Sequence, residues 1–362
     1  MAVTIYDLAR CLKLSHSTVS RAMNHPDSAI SEQTRERVLR LAREMGYSPN
    51  YHSRSLQTGC AMTLGLISCG GGAGEWFWRP MLGGVEQGAR ALGYDVLVVG
   101  QTKGRTEFQC GLDYCREQRI DALVVPGFAI PTRFAEDAMI AAAVVVVAGN
   151  SGHGASSLDC VDFDPAPGIA AALEHLAALG HHRILWFDVH GRELQGAPAQ
   201  RRELFCHAAQ RMALDVRVAS CIAPARRIDE QDAETALRCF PGALDGFPEA
   251  TAVVCYNEAS AFGVYAALAE RGLRVPTDMS VISFDDIHAT IAAPPMTVVS
   301  HMLTEIGFES AKLAIERSQA KQPGKQARTA PAAGRTHLIP AKLIVRKSTA
   351  APGPRPNARN NG

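Results

Sequence analysis

Apolar positions recur at helical spacing along the first 46 residues, and each recurrence opens on a capping side chain. Thr4 with Asp7 forms a capping box that predicts a helix over residues 5–12; Ser15 heads a second from His16 to Asn24, and Ser31 a third that ends at Gly46. Val38, Leu41, Ala42 and Met45 give this third helix one apolar face. Tyr47-Ser48-Pro49-Asn50 then breaks the pattern, and from residue 62 the period changes. MTLGLIS, YDVLVVG, DALVVPG and AAVVVVAG are apolar runs of strand length separated by helix-length charged segments, and the same beat resumes with RILWFDV, LDVRVAS, TAVVCY and MSVISF. About eight buried strands exceed the five or six that one compact parallel sheet uses, so the pattern predicts two similar α/β lobes behind a small helical head.

Composition narrows the class. The 362 residues are 47% hydrophobic, 20% charged and 6% aromatic, a soluble globular profile that excludes collagen-like, coiled-coil and largely disordered chains. Net charge is +1, yet residues 1–60 hold eight Lys/Arg against five Asp/Glu, so the basic lean sits in the head. The ten cysteines include no C-x-x-C pair and no histidine at finger spacing, which predicts free thiols and no metal site. MAVTIYDLARCL carries Asp7 and no apolar signal core, and no uncharged run approaches the roughly 18 residues of a membrane span. A cytoplasmic protein without membrane contact is expected. Enzyme signatures fail: Glu75 stands where a dinucleotide fingerprint starting at Gly70 needs glycine, and the phosphate-loop, nucleophile-elbow and zinc-protease motifs have no match. No catalytic residue and no cofactor is expected.

The second helix sorts chemistry by face. At about 100° per residue, Val19, Ala22 and Met23 point one way while Ser17, Ser20, Arg21 and Asn24 cluster on the other, with His16 at the N-terminal edge. Such a face suits a DNA major groove, where arginine reads guanine O6 and N7 and short hydroxyls bind phosphates. Preceded by a helix and a tight connection, it predicts a helix-turn-helix.

TIYDLARCLKLSHSTVSRAMN, followed by ISEQTRERVLRLAREMGYSPN and SRSLQTG, resembles the LacI/GalR family of bacterial transcription regulators. GVEQGARALGYDVLV, RIDALVVP, HLAALGHHRI, AERGLRVPTDMSVISFDDI and PPMTVVSH extend the resemblance in order over about residues 4–349. It implies an all-α helix-turn-helix head at 1–48, a hinge helix or linker at 49–61, and an effector-binding and dimerisation core at 62–350. The core would be two doubly wound parallel-sheet lobes of the periplasmic-binding-protein type. Lobe 1 would take 62–162 and 296–318, lobe 2 163–293 and 336–348, with 351–362 as a disordered tail. His16, Ser17 and Arg21 would read bases, with Tyr6, Thr18, Ser20 and Asn24 at or near phosphates. Leu56 would wedge into the minor groove beside Ser53, where alanine is more usual.

In the core, the resemblance places Phe77, Trp78, Asp164, Arg201, Asn257, Asp285 and His301 against a small effector at the carboxyl ends of the strands. A sugar, sugar acid or phosphosugar suits Arg201 with Asp285, and a purine-type corepressor suits aromatic stacking with the same pair. The implied partners are double-stranded DNA carrying a palindromic operator, the effector, and a second copy of the chain as a homodimer. Repression is the expected action; activation is the alternative.

Overall fold

The computed structural model describes residues 3–24, 30–47, 59–68, 75–127, 130–131, 133–149, 157–190, 196–222, 228–321 and 334–353. The chain divides into two compact units, Met1–Ala61 and Met62–Gly362.

In the first unit α1 (Ile5–Leu12), α2 (His16–Asn24) and α3 (Glu32–Glu44) follow the caps read from sequence. The Thr4 and Asp7 side chains each bond the other's backbone N–H, and the Ser15 hydroxyl accepts from Thr18 N at 3.1 Å. Lys13 takes the left-handed conformation (φ 55°) that a glycine would adopt more cheaply, and Leu14 N closes onto the Ala9 carbonyl at 3.0 Å. That turn sets α2 against α1. Leu8, Val19 and Val38, one from each helix, are fully buried, so three short helices share one small core.

The second unit contains two six-stranded sheets. The first runs β2 (Asp95–Val99), β1 (Thr63–Ile67), β3 (Ala122–Pro126), β4 (Val145–Ala148), β5 (Asp159–Asp164) and β11 (Thr336–Pro340), all parallel. The second runs β7 (Asp215–Ile222), β6 (Arg183–His190), β8 (Ala252–Cys255), β9 (Ser280–Phe284), β10 (Thr297–Ser300) and β12 (Lys342–Ile344), with β12 alone antiparallel. Each sheet therefore has its own strand-order reversal, the point where open α/β sheets hold ligands.

Two strands lie in the opposite lobe from the expectation. Thr297–Val299 pairs with Ile282–Phe284, so β10 completes the second sheet before the chain crosses; only the following helix, Leu303–Ala320, belongs to the first lobe. Conversely Thr336–Pro340 pairs with Cys160–Asp164 and closes the first sheet, and the chain crosses at Pro340-Ala341 into β12. The lobe change comes after each strand rather than before it. LDVRVAS also differs: as β7 it is an edge strand exposing Val218 and Ile222, not a buried one.

Helix Leu303–Ala320 packs on Glu75–Ala91 almost backbone to backbone. A Cβ on Gly84 would collide with the Thr304 carbonyl, and one on Gly307 with the Met81 carbonyl, so this close approach requires glycine at both. At the other end of the core, residues 351–353 are held rather than loose. His181 Nε2 and the Ser280 hydroxyl both bond the Ala350 carbonyl (2.8 and 3.1 Å), and Pro352 lies against Gly180. Residues 351–353 of the expected disordered tail are therefore ordered, and those beyond 353 lie outside the described residues.

Candidate functional site

On the head, His16 and Arg21 are exposed on α2, and Ser17, Thr18 and Ser20 are half-buried beside them. Of the three residues expected to read bases, His16 and Arg21 are accessible and Ser17 is partly covered. The Ser15 hydroxyl lies 2.8 Å from both the Ser17 and Thr18 hydroxyls, which ties the first turn into one network. Tyr6 is 64% exposed on α1, and its ring stacks on the His16 imidazole with centroids 5.5 Å apart and planes 28° apart. Asn24 is the last residue of α2. Ser53 and Leu56 lie outside the described residues, as does the Gly70–Gly74 cluster.

In the core, the carboxyl ends of strands from both sheets supply a cluster of buried polar groups. Arg201, on the helix Gly196–Arg211, is 7% exposed and donates from Nη1 to the Tyr256 carbonyl at 2.9 Å. Its guanidinium lies 5.4 Å from the Phe284 ring and 6.0 Å from Phe163. Burial pulls the Arg201 pKa down, and the nearby carboxylates of Asp285 and Asp162 oppose that pull. Asp285 follows β9 in a left-handed conformation (φ 76°), a strained position for a residue with a side chain. Its Oδ1 is 3.0 Å from His301 Nδ1, a contact not aligned as a full hydrogen bond. His301 is buried, and burial lowers its pKa, so the imidazole is neutral. It stacks on Phe163 with centroids 4.1 Å apart, joining the end of β5 in the first sheet to the end of β10 in the second.

Arg201 Nε, Asp285 Oδ1 and His301 Nε2 are buried atoms with no hydrogen-bond partner among the described residues. Buried donors and acceptors are rarely left in this way. Together they offer one donor from arginine, a carboxylate acceptor, and an imidazole nitrogen able to take either role.

The first lobe contributes aromatic groups, of which Phe163 lies against His301 and Arg201. Trp78 is half-buried, and its indole N–H bonds the Ile67 carbonyl at the end of β1 (3.2 Å). Its polar atom is thereby used up, leaving the ring as its offering. Phe77, Trp78 and Phe163 pack on the apolar core of the first lobe, with Ile287 arriving from the second lobe.

The remaining expected residues do other work here. Asp164 accepts from Ala166 N at 3.0 Å and caps the helix Pro165–Ala178. Both ends of the Asn257 amide are engaged: Oδ1 accepts from Ser260 N at 2.8 Å, and Nδ2 donates to Asp232 at 3.0 Å. His181 orders the chain end described above.

Four site groups escaped the sequence reading: Asp162, Asp232, Tyr256 and Glu258, all buried. Tyr256 donates its hydroxyl to Asp232, whose pKa burial pushes up to about 6. Glu258 accepts from the backbone N–H groups of Ile287, His288 and Ala289 at 2.8–3.1 Å and so fixes the loop that follows Asp285. Burial, with Asp285 close by, raises its pKa to about 7. The position of Tyr256-Asn257-Glu258 directly after a buried strand was the available signal. Among the described residues no group of three His, Cys, Asp or Glu could hold a metal ion, and no helix is long and apolar enough to cross a membrane.

Known proteins share both parts in the same order. The model of the lacI family of bacterial regulatory proteins matches residues 4–50, and that of the periplasmic binding protein-like domain matches residues 173–349. The HTH-type transcriptional repressor PurR of Haemophilus influenzae strain Rd is 28% identical over 95% of this chain and 98% of its own. The HTH-type transcriptional repressor CytR of Escherichia coli K12 is 28% identical over 97% of each. Among solved structures, the lac repressor dimer bound to operator and the anti-inducer ONPF superposes with a TM-score of 0.69 at 23% identity, covering 97% of this chain and 100% of that one. The transcriptional regulator CelR in complex with cellobiose gives 0.61 at 22% identity, covering 96% and 99%. The chain thus carries a head that matches the lacI family of bacterial regulatory proteins ahead of a periplasmic binding protein-like domain, and it aligns nearly end to end with transcriptional repressors of the PurR and CytR kind.

Proposed function

We propose that the chain is a cytoplasmic homodimeric repressor whose two heads bind a palindromic operator and whose core binds a small, uncharged, polyhydroxylated effector of the sugar class. One head offers few base contacts, so specific affinity needs two on a symmetric site. Tyr6, Ser17, Thr18, Ser20, Arg21 and Asn24 make the phosphate and base contacts with His16, and Ser53 and Leu56 act at the operator centre. The effector lies against Trp78, Phe77 and Phe163 on one side and Arg201, Asp285 and His301 on the other.

The observation that carries the effector class is the charge of this junction. Asp162 and Asp285 are both buried beside one buried arginine, with His301 neutral. Two carboxylates against one cation disfavour an incoming phosphate or acid group, whereas hydroxyls can donate to Asp285 and accept from Arg201 Nε. Rings such as Trp78 suit the apolar face of a pyranose. Effector and operator affinities are then linked, each shifting the other by the same factor.

Two experiments test the reading. Selection of bound sequences from random duplex DNA at fixed, near-physiological salt is expected to return one palindrome; binding without a motif that vanishes as salt rises overturns it. Melting of the full chain with neutral aldoses and disaccharides, their phosphates and acids, and purine bases is expected to show stabilisation by a neutral sugar. Stabilisation confined to a phosphosugar, a sugar acid or a purine overturns the effector class while leaving the DNA reading intact.

A further inference from the structure

We infer that Tyr6 is a positioning residue for sequence readout: its ring holds the His16 imidazole in the orientation that reads a base. The inference rests on the reading of His16 as a base contact and adds a second residue, on a different helix, to the determinants of operator sequence.

His16 is the first residue of α2, where a side chain has no preceding helical turn to pack against. Its neighbours in the first turn spend their polar groups locally, Ser17 and Thr18 each bonding the Ser15 hydroxyl. No hydrogen bond of that network reaches the imidazole. Its described contact is the face of Tyr6, at 5.5 Å and 28°. A near-parallel stack leaves both ring nitrogens at the imidazole edge and restricts the ring to one plane, which a hydrogen bond to a base edge also demands. Free rotation about the side-chain torsions would otherwise have to be frozen on binding.

The other partner is itself fixed. Tyr6 lies in the first turn of α1, immediately inside the Thr4–Asp7 capping box, and Leu8 anchors that turn in the head core. Stacking uses the ring of Tyr6 and leaves its hydroxyl for a phosphate. One residue thus has two separable roles, affinity through the hydroxyl and sequence preference through the ring.

The test is selection from random duplexes at one salt concentration with the full chain and four variants: His16→Ala, Tyr6→Phe, Tyr6→Ala and Tyr6→Leu. His16→Ala is expected to flatten the preference at one symmetric pair of operator positions. Tyr6→Ala and Tyr6→Leu are expected to flatten the same pair by about fivefold, the low end of what one good base contact discriminates. Tyr6→Phe keeps the stack, so it keeps that preference and weakens binding to all sequences alike. Tyr6→Leu preserves apolar bulk, and melting of each variant confirms a folded head. If Tyr6→Ala and Tyr6→Leu retain the preference that His16→Ala loses, the positioning role is overturned and the base contact stands. If His16→Ala changes no position, the base contact falls and the positioning role with it.

Discussion

The two lobes share a strand order but contribute opposite chemistry to their junction. The second lobe brings Arg201, Asp232, Tyr256, Asp285 and His301; the first brings Phe163 and Asp162, with Trp78 and Phe77 on its apolar core behind. A polar group taken out of water must find a partner, so the charged wall is costly until a ligand completes it. An aromatic wall carries no such debt. On the proposed effector reading, discrimination between ligands would belong to the second lobe, and general affinity for a flat apolar face to the first.

The sharpest way to break this division is Arg201→Ala. It leaves Asp285 and Asp162 buried without their cation, a change expected to cost about 3–5 kcal/mol in urea unfolding of the full chain. Arg201→Lys is expected to recover only part, because an ammonium cannot reproduce the planar fork held between Phe284 and the Tyr256 carbonyl. An unfolding midpoint equal to wild type would show that the arginine is not the counter-charge of these acids.

Trp78→Ala should act on the other wall. Effector affinity is expected to fall about tenfold with a smaller loss of stability, and Trp78→Phe to retain most of the affinity, as titration calorimetry would report. Loss of ligand discrimination, rather than of affinity for every sugar alike, would contradict the assignment of a nonselective wall to the first lobe.

A pH slope tests the charged wall in a second way. Burial raises Glu258 to about 7, so the native core holds a proton there that the unfolded chain, with an ordinary value near 4.5, has released. That contribution to stability is complete below the unfolded value and is lost as pH rises toward 7. Buried histidines such as His301, lowered by burial, act in the opposite sense below their ordinary value. Comparison with Glu258→Gln cancels them. From pH 5 to pH 8 the melting temperature of wild type should fall relative to the variant, by about 2–4 °C for each kcal/mol; parallel curves would show that Glu258 does not titrate in this range.

What was legible in sequence was local. Thr4, Ser15 and Ser31 cap helices through bonds three residues long, and each helix begins where those residues stand. The strand DCVDFD was not: its acids break the apolar run, and Asp162 is buried only because the fold surrounds it. Edge position was equally invisible, since DVRVASCI reads as an apolar run like its buried neighbours and differs in having no strand beyond it among the described residues. Tyr256 and Asp232 meet across 24 residues, and Asp285 meets His301 through a loop and a further strand; no periodicity encodes either pairing. The lobe boundaries slipped for the same reason, because pairing partners decide which sheet β10 and β11 join.

The late position of β11 and β12 bears on how the chain is made. Synthesis proceeds from the N-terminus, and a chain released as far as Ala320 has neither edge strand, so the first sheet ends at β5 and the second at β10. It also lacks Ser348 and Ala350, which bond the Val281 and Thr297 backbone, Ser280 and His181. Both lobes thus wait on the same last segment. A chain stopped before Thr336 has two unfinished lobes rather than one good one.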